Sequence, residues 1–191
     1  KSLEKFGITH SVLRADRDGL LTAADIEKTI RPNTKLIIVT AASNVTGGKM
    51  PIAEIGELAK RKGIFFMVDG AQGAGCMPLD VAHMHIDLLA FPGHKGLLGP
   101  QGSGGLYASP RTALRPMLEG GTGTESKSRE QPREFPEGFE AGTINAPAII
   151  GLGRGTEFVA KIGVDVIARY EEELISYLDA CLDEMPGVLR Y

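Results

Sequence analysis

Three short apolar runs, each followed by a loop of glycine and polar residues, constrain the fold of this 191-residue chain more than any other feature. They cover residues 35–40, 64–68 and 87–91. The first is a continuous β-branched run, as expected of a strand buried on both faces of a parallel sheet. An amphipathic segment over residues 51–62 separates it from the second run. This order predicts a parallel strand–helix–strand unit with a right-handed crossover.

A parallel strand–helix–strand unit indicates an α/β fold, and the remaining segments fit that class. Thr22 is a predicted N-cap for a helix over residues 23–30, with Asp25 three residues further on. Residues 120–138 read as a long loop, and long loops inside compact domains are often functional. Further strands are predicted over residues 6–13 and 102–108, and two long helices over residues 146–162 and 164–185.

Charge and cysteine content exclude several classes of protein. The net charge of −3 gives no reason to expect a nucleic-acid partner. No apolar run approaches the roughly 18 residues of a membrane span, so no membrane partner is expected. Cys76 and Cys181 are too few for a disulfide framework, which favours a reducing cytoplasm. The chain starts at Lys1 and stops in a strand-like stretch at Tyr191, so we expect a fragment at both ends.

Two of the predicted strands end in charged groups. Asp69 follows the second apolar run, and Lys95 follows the third. The carboxyl edge of an open α/β sheet is where ligands bind. A lysine amine forms a Schiff base with an aldehyde, and a carboxylate favours the protonated form of a ring nitrogen. Together they predict pyridoxal phosphate, which has both an aldehyde and a basic ring nitrogen.

Four neighbouring residues fit the same cofactor. Gln72 is a candidate donor to the phenolate oxygen of the ring, and Ala71 is small enough to let a flat ring lie against the backbone. His94 is placed to stack on the ring or to bind its phosphate, and Asn44 follows the neighbouring strand. We predict no metal site, because the histidines of the segment 83–85 lack a surrounding ligand pattern.

Taken together, the motifs resemble the class V aminotransferase superfamily, and most closely its cysteine desulfurase and selenocysteine lyase branch. This resemblance implies the large domain of a fold type I pyridoxal-phosphate enzyme, an α/β/α sandwich with a mostly parallel sheet. Residues 1–162 would form that domain, and residues 163–191 a linking helix and the start of a small α+β carboxyl-terminal domain. The matching stretches are residues 43–47, 68–72, 87–91, 93–95, 99–100 and 139–143.

The resemblance also implies roles for individual residues. Lys95 would be the Schiff-base lysine, Asp69 the partner of the pyridinium nitrogen and Gln72 the phenolate-oxygen donor. His94 would be a cofactor contact, and Asn44 would lie near cofactor and substrate. Members of the family are homodimers with active sites at the interface, so Thr143 would reach the phosphate in the partner subunit.

The implied activity is the conversion of L-cysteine to L-alanine, with sulfur passed as a persulfide to an acceptor thiol, in some cases on an acceptor protein. Transamination, selenocysteine lysis and epimerisation are rival class V reactions, because the residues present hold the cofactor and not the substrate. The second class of hypothesis is a non-catalytic fragment or degenerate relative. The family's substrate-binding Arg and sulfur-accepting Cys lie beyond Tyr191, so we expect the isolated chain to be inactive.

Three further features of the sequence bear on these implied roles. Pro92 stands where many desulfurases have a serine whose hydroxyl helps to hold the phosphate. Cys76 is interpreted as a packing residue and Cys181 as a core residue on a helix face.

Residues 120–124 resemble a phosphate cradle, but the chain has no nucleotide-binding glycine motif. We interpret them as an active-site loop, with a plain flexible connection as the alternative.

Overall fold

The structure, a computed structural model, describes residues 3–16, 21–121, 123–125 and 127–188. Short 3₁₀ turns cover Leu3–Phe6, Gly123–Glu125 and Glu137–Phe139. The strands are β1 (Leu36–Thr40), β2 (Phe65–Asp69), β3 (Leu88–Pro92) and β4 (Gly104–Ala108). The helices are α1 (Ala23–Glu27), α2 (Ile52–Lys62), α3 (Ala146–Ile162) and α4 (Val164–Asp183).

The four strands form one sheet in the order β1-β2-β3-β4. β1 pairs with β2 and β2 with β3 in parallel, whereas β4 runs antiparallel to β3. Thr40 lies opposite Asp69, and Asp69 lies opposite Ala90, so β1, β2 and β3 all point their carboxyl ends at the same edge. This mostly parallel sheet with its helices confirms the predicted α/β class.

Helix α2 covers one face of the sheet because its apolar residues recur at helical spacing. Ile55 and Leu58 are buried in the same cluster as Phe66 and Val68 of β2. Gly63 ends the helix in the left-handed conformation, with φ of 66°, and its N–H donates to Ala59 and Lys60 carbonyls. The predicted bounds of α2 are therefore confirmed. Within the described residues, no helix combines the length and apolar character needed to cross a membrane.

Two sequence predictions about the first part of the chain are wrong. Residues 6–13 do not form a strand, since a 3₁₀ turn ends at Phe6 and residues 8–16 have no regular secondary structure. A cleft of about 750 Å³ lies between residues 7–15 and β1. Leu36 and Ile38 of β1 are 41% and 56% exposed. The prediction that β1 is buried on both faces is therefore wrong. Burial of the second face requires another covering layer, which the described residues do not supply on this side of β1.

Helices α1 and α4 also differ from expectation. The capping box of Thr22 and Asp25 is present, but α1 ends at Glu27 rather than at residue 30. Helix α4 has no buried residue among those described, and Cys181 is only partly buried. The prediction of Cys181 as a core residue is therefore wrong, because the apolar face of α4 faces solvent. Residues 189–191, the end of the predicted terminal strand, lie outside the described residues.

An ion pair between the buried Asp87 and the half-exposed Arg111 fixes the amino-terminal end of the β2–β3 pair. Asp87, only 3% exposed, accepts hydrogen bonds from the Phe66 N–H (2.8 Å), the Ser109 hydroxyl (3.0 Å) and the Arg111 guanidinium. Arg111 also donates to the Ile64 carbonyl at 3.0 Å. Burial raises the pKa of the Asp87 carboxyl, but its hydrogen bonds outweigh this effect, and its pKa lies below the ordinary value.

We expect Arg111→Leu to lower the free energy of unfolding, because it leaves the Asp87 carboxylate buried without its charged partner. Breaking a buried pair costs about 3–5 kcal/mol, and the 48% exposure of Arg111 reduces the expected loss to about 2 kcal/mol. Arg154→Leu is the matched control, since its pair with Glu157 is exposed and worth at most about 0.5 kcal/mol. Urea unfolding at neutral pH measures both, and equal losses would contradict a special role for Arg111.

The same pair predicts a pH dependence of stability. Because the folded pKa of Asp87 is lowered, the unfolded chain binds more protons in the acid range. The contribution of Asp87 is present above the unfolded carboxyl pKa of about 3.9 and is lost as pH falls through the lower folded value. Asp87→Asn lacks this titration. Its stability deficit relative to the wild type should therefore shrink below about pH 4, whereas a deficit independent of pH would contradict the prediction.

Candidate active site

Asp69 is the last residue of β2, and the backbone holds its carboxylate at the carboxyl edge of the sheet. Its Oδ1 accepts the Ala71 N–H at 2.9 Å, and its carbonyl accepts the Ala41 N–H at 2.8 Å. The Gly70 N–H donates to the Ala90 carbonyl of β3 at 2.8 Å. The residue is exposed, and no hydrogen bond from the described residues reaches Oδ2. One carboxylate oxygen thus orients the group, and the other is open to a ligand.

Ala71 and Gln72 lie in a tight turn directly after Asp69. The N–H groups of Gly73 and Ala74 both donate to the Gly70 carbonyl, at 3.0 and 2.9 Å. Ala71 and Gln72 are each half-buried, so both are partly accessible from solvent. The turn therefore keeps Gln72 close to the strand end that carries Asp69.

Lys95 lies in a closed loop that follows β3. The Gly93 N–H donates to the Ser103 carbonyl, and the Gly99 N–H returns to the Gly93 carbonyl, both at 2.8 Å. Inside this loop the Leu98 N–H donates to the Lys95 carbonyl at 2.9 Å. His94 and Lys95 are both exposed. The loop thus presents the two side chains to solvent while its backbone is held at both ends.

Glycines allow the Asp69 turn and the Lys95 loop to pack backbone against backbone. A Cβ on Gly75, which has φ of +87°, would lie 2.3 Å from the Gly96 carbonyl oxygen. A Cβ on Gly96 would lie 2.5 Å from the Cys76 Sγ. On another side of the loop, a Cβ on Gly155 of α3 would lie 2.2 Å from the Leu97 carbonyl oxygen. No other residue type fits these contacts, so the Lys95 loop is held by both the turn and α3.

Asn44 lies in the loop that follows β1. The Ser43 hydroxyl accepts the N–H groups of Val45 and Thr46, at 3.2 and 3.1 Å, and shapes that loop. Asn44 is exposed. Since Thr40 and Asp69 are register partners, this loop leaves the sheet at the same edge as the Asp69 turn. The structure therefore brings Asn44, Asp69 and Lys95 to one edge.

Thr143 is not on those three strand-end loops; it lies just before α3. It is exposed, between Gly142, whose N–H donates to the Gly121 carbonyl at 2.9 Å, and the helix N-cap Asn145. No hydrogen bond or ion pair among the described residues links Thr143 to Asp69 or Lys95. The loop over residues 120–138 touches the Thr143 segment at Gly121; its residues 122 and 126 lie outside the described part of the chain.

Helix α4 contacts the Asn44 loop and the turn after Asp69 through Glu172 and Glu171, which was not expected from the sequence. Lys49, in the Asn44 loop, pairs with Glu172 at 2.7 Å. Burial raises the pKa of the Cys76 thiol above its ordinary value, and the neighbouring Glu171 carboxylate raises it further. A thiol held protonated is a weak nucleophile, which supports the interpretation of Cys76 as a packing residue.

The other sequence candidates lie away from this edge. His83 contacts Asp80 at 2.7 Å, and His85 contacts Glu57 at 3.1 Å. In the described ranges no three His, Cys, Asp or Glu side chains are grouped to hold a metal ion. The cleft beside β1 is lined by none of the candidate site residues.

Comparison with known proteins bears on the identity of this arrangement. A family model described as aminotransferase class-V matches residues 1–191. The probable cysteine desulfurase of Methanothermobacter thermautotrophicus is 37% identical over 193 residues, covering 99% of this chain and 48% of that protein. The apo structure of a cysteine desulfurase from Thermococcus onnurineus NA1 matches with a TM-score of 0.81 and 37% identity, covering 91% of this chain and 44% of that one.

A third similar protein was solved with a small molecule. The structure of SspA in complex with cysteine matches with a TM-score of 0.70 and 34% identity, covering 82% of this chain and 42% of that one. The chain therefore spans less than half the length of each of these three proteins. These similarities confirm the resemblance inferred from the motifs.

The close contacts of Gly96 predict that an alanine destabilises the protein at this position but not at Gly153. Gly96→Ala should lower the free energy of unfolding by about 1–3 kcal/mol, because its Cβ would overlap Cys76 and the Ala74 carbonyl. Gly153→Ala, in α3 with nothing within 4 Å, should raise it by up to about 1 kcal/mol through helix propensity. Denaturant unfolding of both variants measures the difference. Similar values for the two would show that the two turns do not constrain each other.

Proposed function

The chain belongs to the class V aminotransferase family, and from this premise we propose that the protein is a pyridoxal-phosphate-dependent enzyme that desulfurates L-cysteine. Class V aminotransferases and cysteine desulfurases are pyridoxal-phosphate enzymes. One observation carries the proposal for this chain. Asp69 ends β2 and Lys95 follows the adjacent parallel strand β3, and the turn and loop beyond these strands touch through glycines at the ligand-binding edge.

The chemistry of the residues at this edge fits that cofactor. Lys95 supplies the amine for the aldehyde, Asp69 a carboxylate oxygen for the ring nitrogen, and Gln72 an amide donor for the phenolate oxygen. Ala71 leaves room for a flat ring, and His94 is exposed on the Lys95 loop. When bound, the cofactor supplies an electron sink for bonds at the substrate α-carbon.

Each residue then has a defined task. The Asp69 carboxylate, oriented by the Ala71 N–H, holds the proton on the ring nitrogen because a negative charge favours the protonated form. The Lys95 Nζ binds the cofactor aldehyde at rest and moves the proton of the substrate α-carbon during turnover. Asn44 orients cofactor and substrate from the neighbouring loop. Pro92 offers no hydroxyl, so His94 would bind the phosphate in its own subunit and Thr143 would reach that of the partner subunit.

L-cysteine is the proposed substrate, with L-alanine as product and a thiol that takes up the sulfur as a persulfide. Relatives named as cysteine desulfurases support it, as does the similar SspA with its bound cysteine. The raised pKa of Cys76 argues against that thiol as acceptor, so we assign the role to another thiol, either in this protein or on an acceptor protein. Another class V reaction on an amino acid is the alternative.

The proposed working form is a cytoplasmic homodimer. Thr143 would then reach the phosphate of the partner subunit, and its side chain is exposed and accessible to a partner. Ile144, Ile149 and Ile150, next to Thr143, are 45–66% exposed and offer an apolar surface to a partner. Free thiols at Cys76 and Cys181 fit a reducing compartment. We further propose the division into a large domain over residues 1–162 and a second domain beginning at residue 163.

The proposal predicts a covalent link between cofactor and Lys95. The intact protein mixed with pyridoxal phosphate should show a visible absorption band, and borohydride reduction should fix the cofactor on Lys95 for detection by peptide mass spectrometry. Lys95→Ala should lose the band, because its side chain has no amine for the aldehyde. Lys161→Ala, an exposed lysine of α3, should keep it.

Product analysis on the same preparations separates the candidate reactions. Alanine and persulfide formed from L-cysteine would support desulfuration, whereas amino-group transfer to a keto acid would favour transamination. A visible band that survives in Lys95→Ala would contradict the enzyme hypothesis for this site.

A further inference from the structure

Two residues other than glycine adopt the left-handed conformation in the described chain, which L side chains rarely do. They are His85, with φ of +51°, and Leu98, with φ of +57°. The His85 ring makes contacts that a glycine at this position would lack. Its Nε2 lies 3.1 Å from the Glu57 carboxylate and 3.3 Å from the Lys60 Nζ. Leu98 is different, because its side chain is 59% exposed.

The backbone at Leu98 is held from several directions. Its N–H donates to Lys95, and the next N–H, from Gly99, donates to Gly93. A Cβ on Gly155 of α3 would lie 3.0 Å from the Leu98 carbonyl oxygen. A glycine would adopt this conformation without strain. The backbone therefore gives no reason for a leucine here, and the reason must lie in what its side chain contacts.

The position of Leu98 indicates what that contact is. Lys95 and Leu98 are the first and last residues of a hydrogen-bonded turn, so their Cα atoms lie within about 7 Å of each other. Both side chains are exposed. The structure thus places an exposed aliphatic side chain on the same turn as Lys95. An exposed apolar side chain there gains free energy when a bound molecule covers it.

We propose that Leu98 is a substrate-positioning residue, whose side chain packs against the aliphatic part of the amino acid held at Lys95. This inference rests on the proposed function and adds a residue to the substrate side of the site. Leu98 has no group that transfers a proton. Its contact is made in the bound ground state and the transition state alike, so it acts on KM rather than on kcat.

Steady-state kinetics on the intact, cofactor-loaded protein test the inference, with L-cysteine as the probe. Leu98→Ala keeps an L residue in the strained conformation but removes most of the side chain. It should raise KM about fivefold and leave kcat and the visible band unchanged. Leu98→Gly should raise KM equally and also raise the thermal midpoint, because the strain is relieved. His85→Ala, at the other strained position, should leave KM unchanged.

An unchanged KM in both Leu98 variants would overturn the inference. A fall in kcat at constant KM, or a change of oligomeric state in sedimentation, would also overturn it, by assigning Leu98 to the chemistry or to a subunit contact. If the wild type shows no cofactor band or no cysteine turnover, the proposed function fails and the inference with it. If both are present and KM does not respond, the inference alone fails.

Discussion

The backbone contact between Gly75 and Gly96 is the constraint on which the geometry of the site depends. The register of β2 and β3 brings the ends of the two strands together, but it does not determine where the loops beyond them go. The glycine contact does so, because a single added Cβ would force the turn and the loop apart. Backbone packing therefore sets the relative positions of Asp69 and Lys95, and no interaction between their two side chains is required.

The opposite ends of the same strands are fixed by a different kind of interaction. Asp87 and Arg111 join the start of β3 to backbone groups of Ile64 and Phe66, at the beginning of β2. A buried carboxylate is tolerated there because it accepts hydrogen bonds from Phe66, Ser109 and Arg111. The β2–β3 pair is thus fixed by charge at its amino-terminal end and by close backbone packing at its carboxyl end, with the candidate site at the second.

Local signals in the sequence were sufficient for much of the fold. The bounds of α2 and α3 and the order of the strands follow from periodicity, capping residues and glycines. The carboxyl-edge location of Asp69 and Lys95 followed from strand endings alone. The failures concern properties that depend on distant partners, namely the exposure of β1, the strand over residues 6–13 and the burial of Cys181. Arg111 and the strain at Leu98 carry no signature in local sequence.

The open side of β1 has a consequence for the behaviour of the chain in solution. Within the described residues β1 is an edge strand of the sheet, and its Leu36 and Ile38 are exposed, which makes it a template for intermolecular β-pairing. A modest net charge of −3 opposes such pairing only weakly. Covering this strand would therefore favour a dispersed polypeptide, and the same strand leads into the Asn44 loop and pairs with the strand that ends at Asp69.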